Sequence, residues 1–197
     1  ADVVSGGFPC QAFSLAGKKL GMEDTRGTLF YEFARAVKEI QPKIFMAENV
    51  KGLLLHDGGK TIEVIMNVFN SLGYNVQYKL LNAVNYGVPQ KRERVIFIGT
   101  KKGYEFSYPK PENKIVTLRD ALKNCPLSEG VKYSEYKEAV LSLVPPGGCW
   151  IDLPEDIQKE YMGKSYFSGG GKRGMARRMS WDEPSLTVTT SPFQKQT

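Results

Sequence analysis

The sequence predicts an α/β protein: a doubly wound sheet followed by a smaller and more irregular region. Three observations predict it. Short apolar runs of strand length alternate with segments of helical period from residue 2 to residue 100. Polar residues of unusual type fall at the ends of the predicted strands. After Pro109 the periodicity fades, and Pro, Gly, Ser and Tyr become more frequent.

The first run, "DVVS" at residues 2–5, is stopped by Gly6-Gly7 and reads as a buried strand feeding a loop. Phe30, Phe33, Ala34, Val37 and Ile40 then recur at helical spacing, with Pro42 just past the expected end. "KIFMAENV" (43–50) is a second buried strand that ends in a carboxylate and an amide. In "TIEVIMNVFNSLG" (61–73), Ile62, Ile65, Met66 and Phe69 share one helical face and Gly73 is placed as the cap. "NVQYKLL" (75–81) and "RVIFIGT" (94–100) are further strands, joined by the loop "NAVNYGVPQKR". The boundary of the irregular second region falls near residue 112, giving domains of 1–112 and 113–197.

With 197 residues and 41% hydrophobic composition, the chain can bury a substantial core. It has no apolar run long enough to span a bilayer and no secretory leader pattern, so a soluble cytoplasmic protein with no membrane partner is expected. Its three cysteines, Cys10, Cys125 and Cys149, are widely spaced and lack any C-x-x-C, which suggests neither a disulfide framework nor a zinc site. The formal charge is +6, concentrated in "QKRERV" (90–95) and "GGGKRGMARR" (169–178). Such patches fit either a polyanion partner or a solvated basic face.

In an open α/β sheet, ligands bind beyond the carboxyl ends of the strands. Cys10 follows the first strand, Glu48 and Asn49 end the second, and Gln90, Arg92 and Arg94 precede another. Taken singly, Cys10 also fits a small buried residue, Glu48-Asn49 a helix cap, and "QKRER" a solvated loop. Their coincidence at three strand ends favours a site. The one histidine, His56, lies in "LLLHDGG", which argues against a cysteine-histidine dyad. A thiol, a carboxylic acid and an arginine instead suit attack on a pyrimidine. A thiolate adding to C6 of cytosine makes C5 nucleophilic, provided that an acid serves N3 and a cation serves O2.

The segments "GGFPCQAFSLAGKKLGMEDTRGTLFYEFARAV", "ENV" (48–50), "NAVNYGVPQKRERVIFIG" and "RRMSWDEPSLTVTTSP" together resemble the cytosine-5 DNA methyltransferases, bacterial modification enzymes that use S-adenosylmethionine. The resemblance runs through the whole chain. It implies a Rossmann-like methyltransferase sheet whose first strands are missing, with a partial target recognition domain after residue 112. It implies methyl transfer from S-adenosylmethionine to C5 of a cytosine flipped out of double-stranded DNA, through a covalent cysteine-C6 adduct.

The same resemblance implies roles for individual residues. Cys10 is the nucleophile, and the loop from Gln11 to about Gly27 closes over DNA with Ser14 near a phosphate. Glu48, beside Asn49, serves N3 and the exocyclic amine with the help of the Phe8 carbonyl. Arg94 contacts O2, Arg92 and Gln90 order the active site, and Pro9 and Leu29 touch the cofactor. Arg173, Arg177 and Arg178 are candidates for phosphates or guanine edges, with structural support an equal reading for Arg178, and Trp181 and Pro184 are expected to pack the domain.

The chain departs from the family pattern in lacking the glycine-rich first segment, the acidic residues that hold the cofactor, and the final asparagine-containing motif. The 197 residues by themselves are therefore expected to be inactive. A tRNA cytosine methyltransferase and an inactive DNA-binding fragment are the alternative readings. A cognate restriction endonuclease is expected as a partner in function and not as a stable complex.

Overall fold

The computed structural model describes residues 1–9, 28–126, 132–167 and 176–188. In chain order its regular elements are β1 (Val3–Gly7), α1 (Thr28–Ile40), β2 (Ile44–Val50), α2 (Lys60–Ser71), β3 (Asn75–Asn82), β4 (Gln90–Lys91), β5 (Glu93–Thr100), α3 (Leu118–Leu122), α4 (Glu135–Ser142), α5 (Glu155–Met162) and β6 (Ser185–Leu186). They divide into two compact units. One holds Ala1–Asn82 and Glu93–Pro111, the other Ala83–Arg92 and Glu112–Thr197.

The first unit is an α/β layer built on a four-stranded sheet of order β1-β2-β5-β3. β1 and β2 run parallel, while β5 runs antiparallel to both β2 and β3. This departs from a wholly parallel sheet. The connection from β3 to β5 carries no crossover helix, and antiparallel neighbours need none. Both α1 and α2 pack on one face of the sheet, so the described elements are wound on one side only. Strands β1, β2 and β3 advance across the sheet in one direction, and crossovers of one hand then place both helices on the same side.

The helices form where their apolar periods predict. Phe30, Ala34 and Val37 of α1 are buried, whereas Ile40, one turn further, is 45% exposed because the helix ends there. Gln41 follows at φ 51 and Pro42 cannot continue the ladder. On the outer face Arg35 pairs with Glu32 at 2.6 Å and Glu39 at 2.9 Å. Helix α2 buries Ile62, Ile65 and Phe69, and Gly73, at φ 86, returns its N–H to Asn70 O over 3.0 Å as a C-terminal cap.

Between these layers Phe30, Phe45, Phe69 and Phe97 are fully buried, with the Phe45 and Phe69 rings 4.5 Å apart. The strands alternate accordingly. In β2, Phe45, Ala47 and Asn49 face this core, and Met46 and Val50, each 40% exposed, face away. β1 is likewise half exposed rather than buried, since Val3 points to the open face. On that face Tyr108 lies over β3 and β5, its hydroxyl donating to Ile96 O at 2.8 Å.

Gly6 and Gly7 do not begin a turn; both lie within β1. Their use is space. A Cβ on Gly6 would sit 2.7 Å from the Phe33 ring, and one on Gly7 would sit 3.4 Å from Glu48 Oε2.

The second unit consists of short helices and a two-stranded parallel sheet of β4 and β6. Its small core is Val140, Val144 and Leu153, flanked by Trp150, Ile157 and Tyr161. The 83–92 segment belongs to it through main-chain bonds. Ala83 N–H donates to Arg92 O at 3.0 Å, Glu112 N–H to Asn85 O at 2.7 Å and Ser185 N–H to Pro89 O at 2.9 Å. Lys91 also pairs with Glu183 at 2.6 Å. Arg119 grips Asp182 through two bonds of 2.8 and 3.2 Å, and its N–H donates to Trp181 O at 2.9 Å. Trp181 itself is 44% exposed rather than packed inside.

Candidate active site

The site of the first unit is built where β1 and β2 end and β5 begins. In the register, Gly7 stands opposite Glu48, Glu48 opposite Ile96, and Val50 opposite Arg94. Glu48 and Arg94 are therefore diagonal neighbours on one face of the sheet. The antiparallel direction of β5 is what makes this possible. In a parallel strand the first residues would lie at the far end of the sheet, roughly 20 Å away at about 3.3 Å per residue.

Arg94 Nε lies 2.6 Å from Glu48 Oε1, with the two side chains 21% and 37% exposed. Nε is buried and its N–H is not aligned for a hydrogen bond, so this contact is ionic. Arg94 Nη1 donates instead to Glu93 O at 2.8 Å, which fixes the guanidinium close to its own strand. The absent side chain of Gly7 leaves the space in front of Glu48 open. Beside the pair, Lys51 Nζ bridges both carboxylate oxygens of Glu93 at 3.0 Å, a contact that sequence reading did not find.

Asn49 faces the core, is 3% exposed, and donates from Nδ2 to Phe8 O over 2.7 Å. Its Oδ1 accepts from Val50 N–H at 2.9 Å, so the amide bonds at both ends and caps no helix. The Phe8 ring is set 5.1 Å from Phe30 and 6.4 Å from Phe33. The backbone just ahead of Pro9 is thus held by its own ring in the core and by Asn49 at its carbonyl. No periodic signal marks this bond, because it joins residues 41 positions apart.

Of the other residues singled out in the sequence, Pro9 and Leu29 are exposed and lie in this same unit, Leu29 at 51%. Gln90 and Arg92 belong to the second unit. Gln90 lies on β4 and donates its N–H to Val88 O at 2.7 Å, and Arg92 O accepts from Ala83. Arg177 lines an open cleft of that unit. Arg178 is structural: its Nη1 donates to Val144 O at 2.8 Å, beyond the end of α4. Cys10, Gln11, Ser14 and Arg173 lie outside the described residues. His56 is occupied by Thr61, with Nδ1 and Oγ1 2.7 Å apart.

At the ends of the strands of the first unit, then, a carboxylate is paired with a guanidinium beside the Phe8 carbonyl that Asn49 holds. The comparisons with known proteins are more specific. The chain belongs to the C-5 cytosine-specific DNA methylase family, whose model matches residues 1–180. It is 60% identical to the Type II methyltransferase M.Eco47II of Escherichia coli over 100% of this chain and 50% of that protein. It is 55% identical to the Type II methyltransferase M.Sau96I of Staphylococcus aureus over 100% of this chain and 47% of that protein. The chain thus spans about half the length of the curated relatives it matches. Among solved structures, a putative DNA modification methyltransferase encoded within an E. coli prophage shares the fold. The TM-score is 0.58 at 24% identity, covering 100% of this chain and 65% of that one. Among the described residues, no helix is long and apolar enough to cross a membrane.

Proposed function

We propose that the protein to which this chain belongs methylates C5 of cytosine in double-stranded DNA, with the base flipped out of the helix and held through a cysteine-C6 adduct. The observation that carries the reading is the Glu48–Arg94 contact of 2.6 Å at the end of β2. It brings a carboxylate and a guanidinium side by side, which suits the adjacent N3 and O2 of a pyrimidine. Family membership over residues 1–180 and the intact "PCQ", "ENV" and "QKRER" segments support it.

In this mechanism the Cys10 thiolate adds to C6. Glu48 holds a proton at N3 and accepts from the exocyclic amine, while Arg94 donates to O2 and takes up the developing charge. Arrival of the base exchanges the Glu48–Arg94 contact for these contacts to the ring. The Phe8 carbonyl, steadied by Asn49, fixes the chain just before Pro9. S-adenosylmethionine, when bound, supplies the methyl group. Pro9 and Leu29, both apolar and exposed, would be the residues of this chain to touch it. After transfer the C5 proton leaves and the thiol departs by β-elimination. The second unit, residues 83–92 together with 112–197, serves as part of the target recognition region.

The test is Cys10→Ala in the full-length protein. We expect methylation to be abolished and DNA binding to persist, and we expect the wild type to be trapped covalently by DNA carrying 5-fluorocytosine. Methyl transfer at the wild-type rate by the variant would overturn the assignment.

A further inference from the structure

Arg94 Nη1 donates to Glu93 O at 2.8 Å, so the guanidinium is only as well placed as the Glu93 peptide. That peptide stands at the end of the sheet. Glu93 is the first residue of β5, and its partner on β3, Asn82, is the last residue of that strand. On the other side β2 has already ended, since its last residue, Val50, stands opposite Arg94. Strand ends of this kind open locally at little cost.

Lys51 closes this end. It is the first residue past β2, and its Nζ bonds both carboxylate oxygens of Glu93 at 3.0 Å, across 42 residues of sequence. A side-chain pair thus continues the β2–β5 pairing one step beyond the ladder. Successive side chains of a strand alternate between faces. The Lys51–Glu93 pair therefore lies on the face of the buried Val95 and Phe97, and the Glu48–Arg94 pair on the opposite one. Two residues beyond Lys51, the fully buried Leu53 anchors the chain in the core.

We propose that Lys51 and Glu93 are positioning residues for the methyl transfer. They touch no substrate, and act by fixing the Glu93 carbonyl from which the Arg94 guanidinium is aimed at the cytosine ring. This rests on the DNA methyltransferase reading given above. A lysine at this end of the sheet could otherwise serve a DNA phosphate, but its ammonium is committed to both oxygens of a carboxylate, and the neutral pair offers a phosphate little attraction. With both side chains partly exposed, the pair adds little to the fold. Its effect falls on the rate, which is sensitive to small displacements of a group that meets the reacting ring.

The experiment uses the full-length protein and a duplex carrying its methylated target, which bisulfite sequencing defines. Single-turnover methylation rates at saturating DNA, DNA affinities and melting temperatures are measured for each variant. We expect Lys51→Ala to lower the rate about tenfold, with DNA affinity and melting temperature close to wild type. Glu93→Gln, which loses the charge, is expected to lower the rate in the same way but by less. Lys51→Ala combined with Glu93→Gln is expected to be no slower than Lys51→Ala, because the two residues act as one unit. Lys51→Arg can meet the same carboxylate and is expected to keep at least about half of the rate.

Wild-type rates in Lys51→Ala and Glu93→Gln would overturn the proposal, and Glu93→Gln decides alone should Lys51→Ala not fold. So would an unchanged rate at saturating DNA in Lys51→Ala, with weaker binding and a salt slope reduced by about one, the signature of a phosphate contact. Rates that fall only in step with the melting temperature would assign the pair to the fold alone. A wild-type protein that methylates no cytosine would instead remove the underlying functional reading.

Discussion

The side-chain amide of Asn49 donates to the main-chain oxygen of Phe8 over 2.7 Å, inside the core and across 41 residues of sequence. It ties the end of β2 to the residue that leads into Pro9 and Cys10. Asn49→Ala would leave the Phe8 carbonyl buried without this donor, at a cost of about 1–3 kcal/mol. We expect the unfolding free energy from urea denaturation to fall by that amount and, on the proposed function, the methylation rate of the full-length protein to fall further, because the Phe8 carbonyl is no longer held. Asn49→Asp should be worse, since it faces a carboxylate with a carbonyl oxygen. Equal losses of rate and stability in a kinetic and unfolding comparison would show that Asn49 acts on the fold alone.

The Glu48–Arg94 pair separates chemistry from stability in a different way. With the side chains 37% and 21% exposed, the pair adds about 1 kcal/mol or less to the fold. Its expected contribution to the reaction is far larger. Glu48→Gln should lower the single-turnover methylation rate of the full-length protein by about 10²- to 10⁴-fold, with a melting temperature close to wild type. A variant that kept more than half of the rate would remove Glu48 from the chemistry.

Much of this arrangement was legible in the sequence, and the exceptions have physical causes. The periods of Phe30, Ala34 and Val37 and of Ile62, Ile65 and Phe69 gave both helices, because burial of one face requires such a period. The ends of β2 and β5 gave Glu48 and Arg94. Strand direction was not legible: apolar runs of the "RVIFIGT" kind look alike in either sense, and only the helix-free connection after β3 hints at reversal. The affiliation of 83–92 with the second unit was hidden too, since main-chain bonds such as Glu112 N–H to Asn85 O leave no trace in residue type. Gly6-Gly7 was read as a break in the chain and is instead room for a ring and a carboxylate.

Those two glycines can be told apart by experiment. A methyl group on Gly6 would meet two carbons of the Phe33 ring at 2.7 Å, so Gly6→Ala should destabilise the chain by about 1–3 kcal/mol. Phe33→Leu in the same chain should recover part of that loss, giving a non-additive cycle in urea denaturation. A methyl group on Gly7 would meet Glu48 Oε2 at 3.4 Å, a van der Waals contact that the fold tolerates but that fills the space before the carboxylate. Gly7→Ala is expected to lower methylation by the full-length protein with little change in unfolding. The reverse order of effects would show that the open space before Glu48 is incidental.

Tyr108 sets an alkaline limit on the first unit. Its hydroxyl donates to Ile96 O at 2.8 Å over the face of β3 and β5, and burial pushes its pKa up to about 12 from the ordinary value of 10. Because the folded state holds the proton more tightly than the unfolded one, Tyr108 favours folding fully below pH 10, and that contribution is lost as pH rises from 10 toward 12. Unfolding midpoints measured in urea between pH 8 and pH 11 should therefore fall above pH 10 more steeply in the wild type than in Tyr108→Phe. The phenylalanine variant, which lacks the hydrogen bond, should start lower at pH 8. Parallel curves for the two proteins would mean that this hydroxyl does not couple ionisation to folding.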